Sequence, residues 1–278
     1  MTIRIVTDSA CDLPADVASR LGIEIVPLTI RFGDEEFVDR RDLTPEVFWE
    51  RCAASSTLPE TAAPAPGAFE QVYRSLAAEG ATGVVVVSLS AALSATMQSA
   101  ELAARSVSDV IPVTVVDSRS VTLGQGMIAV AAARLAATGA GHEAVVAEVR
   151  SLADRTKVWG ALDTLDNLKK GGRIGGAKAM LASVLSIKPI IEVRDGKVEE
   201  GGKQRTRSKA LAFLVEKVKS YGEIENLAVL HAACPDVDGF VEQVRPLASG
   251  EVIVGNIGPV VGSHAGRGTI GVAFQTRA

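Results

Sequence analysis

Three kinds of side chain in this sequence suit the handling of a small anion: hydroxyls where helices begin, a histidine among glycines, and cations among glycines. The densest case is Leu168-Lys169-Lys170-Gly171-Gly172-Arg173-Ile174-Gly175-Gly176, with three cations and four glycines in nine residues, ahead of a helix-like run from Ala177 to Leu185. Glycines allow tight turns and close backbone approach, and cations favour an anion. The run fits neither G-x-x-x-x-G-K-[ST] nor G-x-G-x-x-G, so a nucleotide loop is a weak reading of it.

The hydroxyls form two groups. Ser88-Leu89-Ser90-Ala91-Ala92-Leu93-Ser94-Ala95-Thr96 reads as a serine-rich turn entering a helix. Free backbone N–H groups and hydroxyls there can hold a carboxylate or phosphate, although Ser94 also reads as a plain N-cap. Thr61 lies in the proline-stiffened connection Leu58–Gly67, which reads as structural, with a hydroxyl able to face a site. Four glycines around His264, in Ile257–Gly268, imply tight turns that present the imidazole; a purely structural histidine is the competing reading. His142 reads as part of a glycine-rich loop, and His231 as a strand end. Thr7–Leu13 follows the first strand, and Asp12 there reads as the cap of the next helix. Ser94, His264 and Asp8 are the residue types of a hydrolase triad, but such triplets occur in almost any chain of this size, and the G-x-S-x-G elbow is absent. No histidine or cysteine spacing suggests a metal.

These residues need a scaffold, and the hydrophobic pattern predicts one. Strands are expected at Ile3–Thr7, Ile23–Ile30, Val84–Ser88 and Val113–Asp117. Helices are expected from Asp12 to Gly22, from Pro45 to about Ala54, and at Ala65–Ala77, Ser94–Ser106 and Gly126–Thr138. Strands separated by helices predict a parallel α/β sheet covered on both faces. After about Thr156 the pattern becomes α+β. Strands are expected at Trp159–Asp163, Leu227–His231, Val252–Asn256 and Thr269–Phe274, with helices at Ser208–Tyr221 and Asp236–Leu247. Ile187–Val193 and Lys197–Gln204 flank Asp195-Gly196, an antiparallel hairpin signal. The expected organisation is an N-terminal α/β domain, residues 1–155, and a C-terminal α+β domain, residues 156–278.

Composition narrows the class. The chain has 278 residues, 47% hydrophobic and 22% charged, which excludes disorder as a main theme. Its net charge of −4 is uneven: residues 155–220 hold fifteen Lys/Arg against seven Asp/Glu, leaving fourteen against twenty-six elsewhere. A local +8 suits an anionic ligand or acidic partner, or is a solvated lysine face. With 4% aromatic residues and an acidic whole, nucleic acid is disfavoured. Three widely spaced cysteines predict a reducing compartment without a disulfide frame, and the absence of an apolar leader predicts a cytoplasmic protein. Apolar runs such as Val84–Val87 are too short to span a bilayer.

Taken together and in order, these motifs resemble the DegV family of bacterial fatty-acid-binding proteins, the FakB type. The matching pieces are Thr7-Asp8-Ser9 with Asp12-Leu13; Thr61 with Pro64 and Gly67; Ser88-Leu89-Ser90 with Leu93-Ser94 and Thr96; Asp117-Ser118; Leu168-Lys169-Lys170-Gly171-Gly172-Arg173-Ile174; and Gly258-Pro259-Val260-Val261-Gly262 with His264. They span nearly the whole chain, and the Leu-Lys-Lys-Gly-Gly-Arg-Ile run is highly specific.

The resemblance implies two α/β domains with a long-chain fatty acid between them, its tail in an apolar tunnel. It implies that hydroxyls at the positions of Thr61 and Ser94 hold the carboxylate, with His264 nearby. It also implies a partner, a fatty-acid kinase related to dihydroxyacetone kinase that converts the bound acid to an acyl phosphate. The protein itself would have no turnover and no cofactor, and at most transient membrane contact. Lys170, Arg173 and Arg205 are then the expected docking surface, and Met180–Leu185 and Ile187–Ile191 are plausible tunnel walls. Ala62, Ala63, Ala95, Ala265 and Arg267 depart from the family pattern and bear on the finer head-group contacts and chain preference. Two rival readings are a serine esterase or acyl-transferring hydrolase using Ser94 and His264, and a nucleotide-binding regulator using the glycine loop.

Overall fold

The computed structural model describes residues 2–55, 57–182 and 187–277. The N-terminal half carries strands β1 (Ile3–Asp8), β2 (Glu24–Val26), β3 (Thr29–Phe32), β4 (Glu35–Val38), β5 (Glu60–Ala62), β6 (Gly83–Ser88) and β7 (Val113–Asp117). Its helices are α1 (Ala15–Arg20), α2 (Pro45–Ala54), α3 (Pro66–Ala78), α4 (Thr96–Ser106), α5 (Leu123–Ala137) and α6 (His142–Arg155). The rest carries β8 (Thr156–Ala161), β9 (Lys188–Arg194), β10 (Lys197–Gln204), β11 (Ile224–His231), β12 (Ile253–Asn256) and β13 (Ile270–Thr276). With them are α7 (Asp166–Lys170), α8 (Arg207–Ser220), α9 (Val237–Val244) and α10 (Pro259–Ala265).

The fold is mixed α/β. Strands β2-β1-β6-β7 form a parallel sheet, and β10-β9-β8-β13-β11-β12 a mixed one in which only β11 and β12 run parallel among the paired strands. A third sheet, β4-β3-β5, is antiparallel. The valine run of β6 serves two cores at once. Val84 and Val86 pack with Phe69 and Tyr73 of α3, whereas Val85 and Val87 join the cluster containing Met127 and Ile128 of α5. A strand covered on both faces carries apolar residues without alternation, because each face of the pleat needs them.

Helix α5 lies between the sheets, against β1 and β6 of the parallel one and β8, β11 and β13 of the mixed one. It is therefore apolar all round, and small residues along it let both sheets approach. On the outer face of the mixed sheet, α8 and α9 bury Leu211, Leu214, Phe240 and Val244 against Val229, Val272 and Phe274.

Several expected elements fall differently. The single strand Ile23–Ile30 is two, in different sheets, because Pro27 interrupts the ladder between them. The small sheet β4-β3-β5 has no counterpart in the expected pattern, and it is what places Thr61. His142 begins α6 instead of lying in a loop; the glycines before it end α5 and start the new helix. His264 itself lies on the helix α10, and of the four glycines around it only Gly266 and Gly268, after the helix, take turn conformations, with φ 80° and 82°. Strand β8 starts three residues earlier than expected. The expected helix from Ala177 is a 3-10 segment, Gly175–Ala182, and Ser183–Leu185 lie outside the described residues. Asp12 does not cap α1: Pro14 precedes that helix without a side-chain cap, and the Asp12 backbone is left-handed, which turns its carboxylate to the other half of the chain.

Candidate functional site

Four elements converge on one cavity of about 200 Å³. Strand β5 brings Thr61, the turn before α4 brings Ser94, α10 brings His264, and the loop after α7 brings Arg173. The rest of the wall is apolar: Ala10, Leu28, Leu89, Val121, Ile191 and Val260 contribute to it.

The polar end is organised around His264. Its Nε2 stands 3.0 Å from the Thr61 hydroxyl. Its Nδ1 is buried and has no hydrogen-bond partner among the described residues. The ring packs so closely on the glycine loop that a Cβ at Gly171 would come within 2.3 Å of Nδ1. Burial, and then the nearby Arg173 charge, push the imidazole down to about 4. It is therefore neutral at physiological pH, since the protonated ring would have to be held in a poorly solvated place beside a guanidinium.

Arg173 is itself tied down. Its Nε donates to the Leu93 carbonyl at 3.1 Å, and another guanidinium nitrogen donates to the Gly171 carbonyl at 2.7 Å. The guanidinium thus links the glycine loop to the turn that carries Ser94. The Ser94 hydroxyl lies 2.9 Å from that of Thr96 and accepts the Thr96 amide at 3.3 Å. Ala95, not Ser94, is the residue immediately before α4. Ser94 therefore supports the first turn from one position further out, and it also lines the cavity.

Two other cations from the sequence lie elsewhere. Lys170 ends α7 and is exposed, and Arg205 is exposed in the bend between β10 and α8; neither lines the cavity. Ile191 is on the wall, whereas Met180 is buried in a neighbouring cluster with Leu165, Leu168, Ile174 and Val198. The wall residues Ala10, Leu28 and Val121 went unnoticed in the sequence. They sit one at a time in turns, with no periodicity to mark them, and only the fold brings them together.

The arrangement suits binding better than acyl transfer. A hydrolytic relay needs imidazole on the serine hydroxyl and a carboxylate on the far nitrogen. Here Nε2 faces Thr61, and Nδ1 faces no carboxylate. Among the described residues, no group of three or more His, Cys, Asp or Glu side chains is placed to hold a metal ion. No helix among them is long and apolar enough to cross a membrane.

Comparison with known proteins bears on the whole length. A family model described as "Uncharacterised protein, DegV family" matches residues 2–277. A DegV domain-containing protein of Streptomyces coelicolor is 36% identical over 280 residues, covering 99% of each chain. Among solved structures, a fatty-acid-binding DegV family protein from Thermus thermophilus matches with a TM-score of 0.92 and 35% identity over 100% of both chains. A stearic-acid-binding protein from Eubacterium ventriosum matches with a TM-score of 0.89 and 25% identity, over 99% of this chain and 98% of the other.

Proposed function

The chain belongs to the DegV family, and from that membership and the cavity we propose that it binds a long-chain fatty acid and presents its carboxylate to a separate kinase. The observation that carries this reading is the Thr61–His264 pair at the polar end of an otherwise apolar cavity. Relatives of the same fold are described as binding fatty acids, stearic acid among them.

The energetics agree with this reading. A chain of about 16 carbons gains roughly 0.8 kcal/mol for each methylene buried, about 10 kcal/mol in all, so the tail supplies most of the affinity. The head group then needs orientation more than attraction. Thr61, Ser94 and neutral His264 hold the carboxylate by hydrogen bonds without a full ion pair, which leaves an oxygen free to accept a phosphoryl group. At about 200 Å³ the cavity is below the roughly 300–1,000 Å³ usual for ligand pockets, so a full tail requires the wall to yield.

Lys170, Arg173 and Arg205 are the proposed contacts for the kinase, a protein related to dihydroxyacetone kinase. Arg173 is the one that also reaches the cavity. The division of labour follows two domains, residues 1–155 and 156–278, with the acid between them in a cytoplasmic protein that needs no cofactor. Mass spectrometry of the purified, denatured protein tests the reading. A co-purifying acyl chain, or uptake of added palmitate at one acid per chain, is expected; the absence of both would overturn it. Ester hydrolysis by the isolated protein, abolished by Ser94→Ala, would favour the hydrolase instead.

A further inference from the structure

Asp12 does not line the cavity, yet it touches the helix that carries His264. It follows the 3-10 turn Ser9–Cys11, is 5% exposed, and has a left-handed backbone with φ 49°. Its Oδ1 accepts the Gly258 amide at 2.9 Å, across 246 residues of sequence. Gly258 stands immediately before α10 and offers that helix no side-chain cap. A carboxylate from the other half of the molecule therefore satisfies the start of α10.

The contact is built closely from both sides. A Cβ at Gly258 would stand 2.9 Å from Asp12 Oδ1, and one at Gly255 would stand 3.0 Å from the Asp12 carbonyl oxygen. On the opposite side, the Thr122 amide donates to the Ala10 carbonyl at 2.8 Å, and a Cβ at Gly126 would meet the Cys11 carbonyl at 2.7 Å. Thr122 has φ 53°, a left-handed conformation that a β-branched residue adopts only under strain. The loop carrying Asp12 is thus wedged between α5 and the start of α10, and the wedge holds a strained residue and a buried carboxylate in place.

We infer that Asp12 is a positioning residue for the ligand's head group: by holding the first amide of α10 it sets where His264 stands opposite Thr61. The lever is short. Seven helical residues span about 10 Å, so a swing of about 10° at the Gly258 end moves the far end by nearly 2 Å. That is enough to break the 3.0 Å contact between His264 and Thr61. Phe48 and Trp49 pack on Gly262 and set the height of the same helix, while Asp12 ties its start. Arg40 and Asp39 are the charged groups that act on the Asp12 carboxyl, with the Thr122 hydroxyl and the Gly258 amide beside it. Asp12→Asn keeps an acceptor for Gly258 and removes the charge.

The ligand arm of the test rests on the fatty-acid reading; the imidazole arm does not. His264 ring signals are followed by NMR through a pH titration of ligand-free wild type, Asp12→Ala, Asp12→Asn and Gly258→Ala. Affinities for palmitate and for hexadecanol, which has the tail without the carboxylate, are measured on the same proteins. Expected are a rise in the His264 midpoint in Asp12→Ala and Gly258→Ala, and a loss of palmitate-over-hexadecanol preference of about tenfold. Asp12→Asn retains most of both. An unchanged His264 midpoint in both disrupting variants, or equal losses for acid and alcohol, overturns the inference. If wild type takes up neither lipid, the fatty-acid reading fails and the imidazole titration alone decides the positioning role. If Asp12→Ala does not fold, Gly258→Ala tests the same contact from the other side.

Discussion

Thr61 and His264 are 203 residues apart and share a hydrogen bond of 3.0 Å, Oγ1 to Nε2. One sits on the edge strand of a three-stranded sheet and the other on a two-turn helix from the opposite end of the chain. Their contact closes the polar end of the cavity.

Removing either partner strands the other in a poorly solvated place. Thr61→Val and His264→Ala are each expected to weaken palmitate binding by about 1–3 kcal/mol, roughly 5- to 150-fold. Ser94→Ala, whose hydroxyl also leans on Thr96, should cost less, about 0.5–1.5 kcal/mol. Titration calorimetry with palmitate ranks the three; Ser94→Ala as the most damaging would contradict the geometry.

Gly171 is required by the ring it faces. In Gly171→Ala the new methyl would stand 2.3 Å from His264 Nδ1 and 3.1 Å from the Asn167 carbonyl. Overpacking of this kind costs typically 1–3 kcal/mol, and the ring is the part free to move. The expected result is a folded protein with lower affinity for the acid and little change for hexadecanol. Undiminished acid binding would show that His264 does not orient the head group.

Arg173→Ala separates charge from contact. Losing the guanidinium removes the positive charge that helps hold His264 below its usual range, so the His264 midpoint should rise in an NMR titration. Palmitate binding should be largely retained, and acyl-phosphate formation with the kinase should fall. Unchanged turnover by the kinase would refute the docking role.

The buried carboxyls of the β1 end make stability depend on pH in an unusual direction. Burial pushes Asp8 up from 3.8 to about 6, although the Leu89 amide, the Gln125 side chain and the Ala10 amide pull it back. Asp12 is pushed up to about 7, again by burial. A carboxyl whose folded pKa is raised binds its proton more tightly in the native state. Its contribution is complete below the unfolded value and is lost as pH rises through the folded one. Stability from this pair should therefore fall between pH about 4 and about 7, where a salt-bridged carboxylate would do the reverse. Urea unfolding of wild type and of Asp8→Asn across that range checks the sign: the stability of wild type relative to Asp8→Asn should fall as pH rises.

Much of the fold was legible in the sequence because the responsible residues are neighbours in it. Valines 84–87 announce a strand buried on both faces, and Asp195-Gly196 announces a hairpin, where the chain takes φ 51° and 76°. The Leu168–Ile174 run and its companions pointed to the DegV family. What misled was local reasoning about partners that lie elsewhere. Asp12 looks like a helix cap because it precedes Pro14, but its acceptor oxygen serves Gly258. The glycines around His264 look like turns, whereas Gly258 and Gly262 let Asp12 and Trp49 approach a helix.

By itself, then, the sequence determined the class of fold, the family, and which residue types are suited to handling an anion: hydroxyls, one histidine and a basic glycine loop. Only the tertiary structure decided that Thr61, Ser94, His264 and Arg173 share one cavity while Lys170 and Arg205 stand outside it. It also decided that His264 is neutral and that Asp12 holds the helix beneath it. The reason is physical. Periodicity and turn chemistry act over a few residues, whereas burial, desolvation and a 3.0 Å hydrogen bond across 203 residues exist only once two sheets have closed around α5.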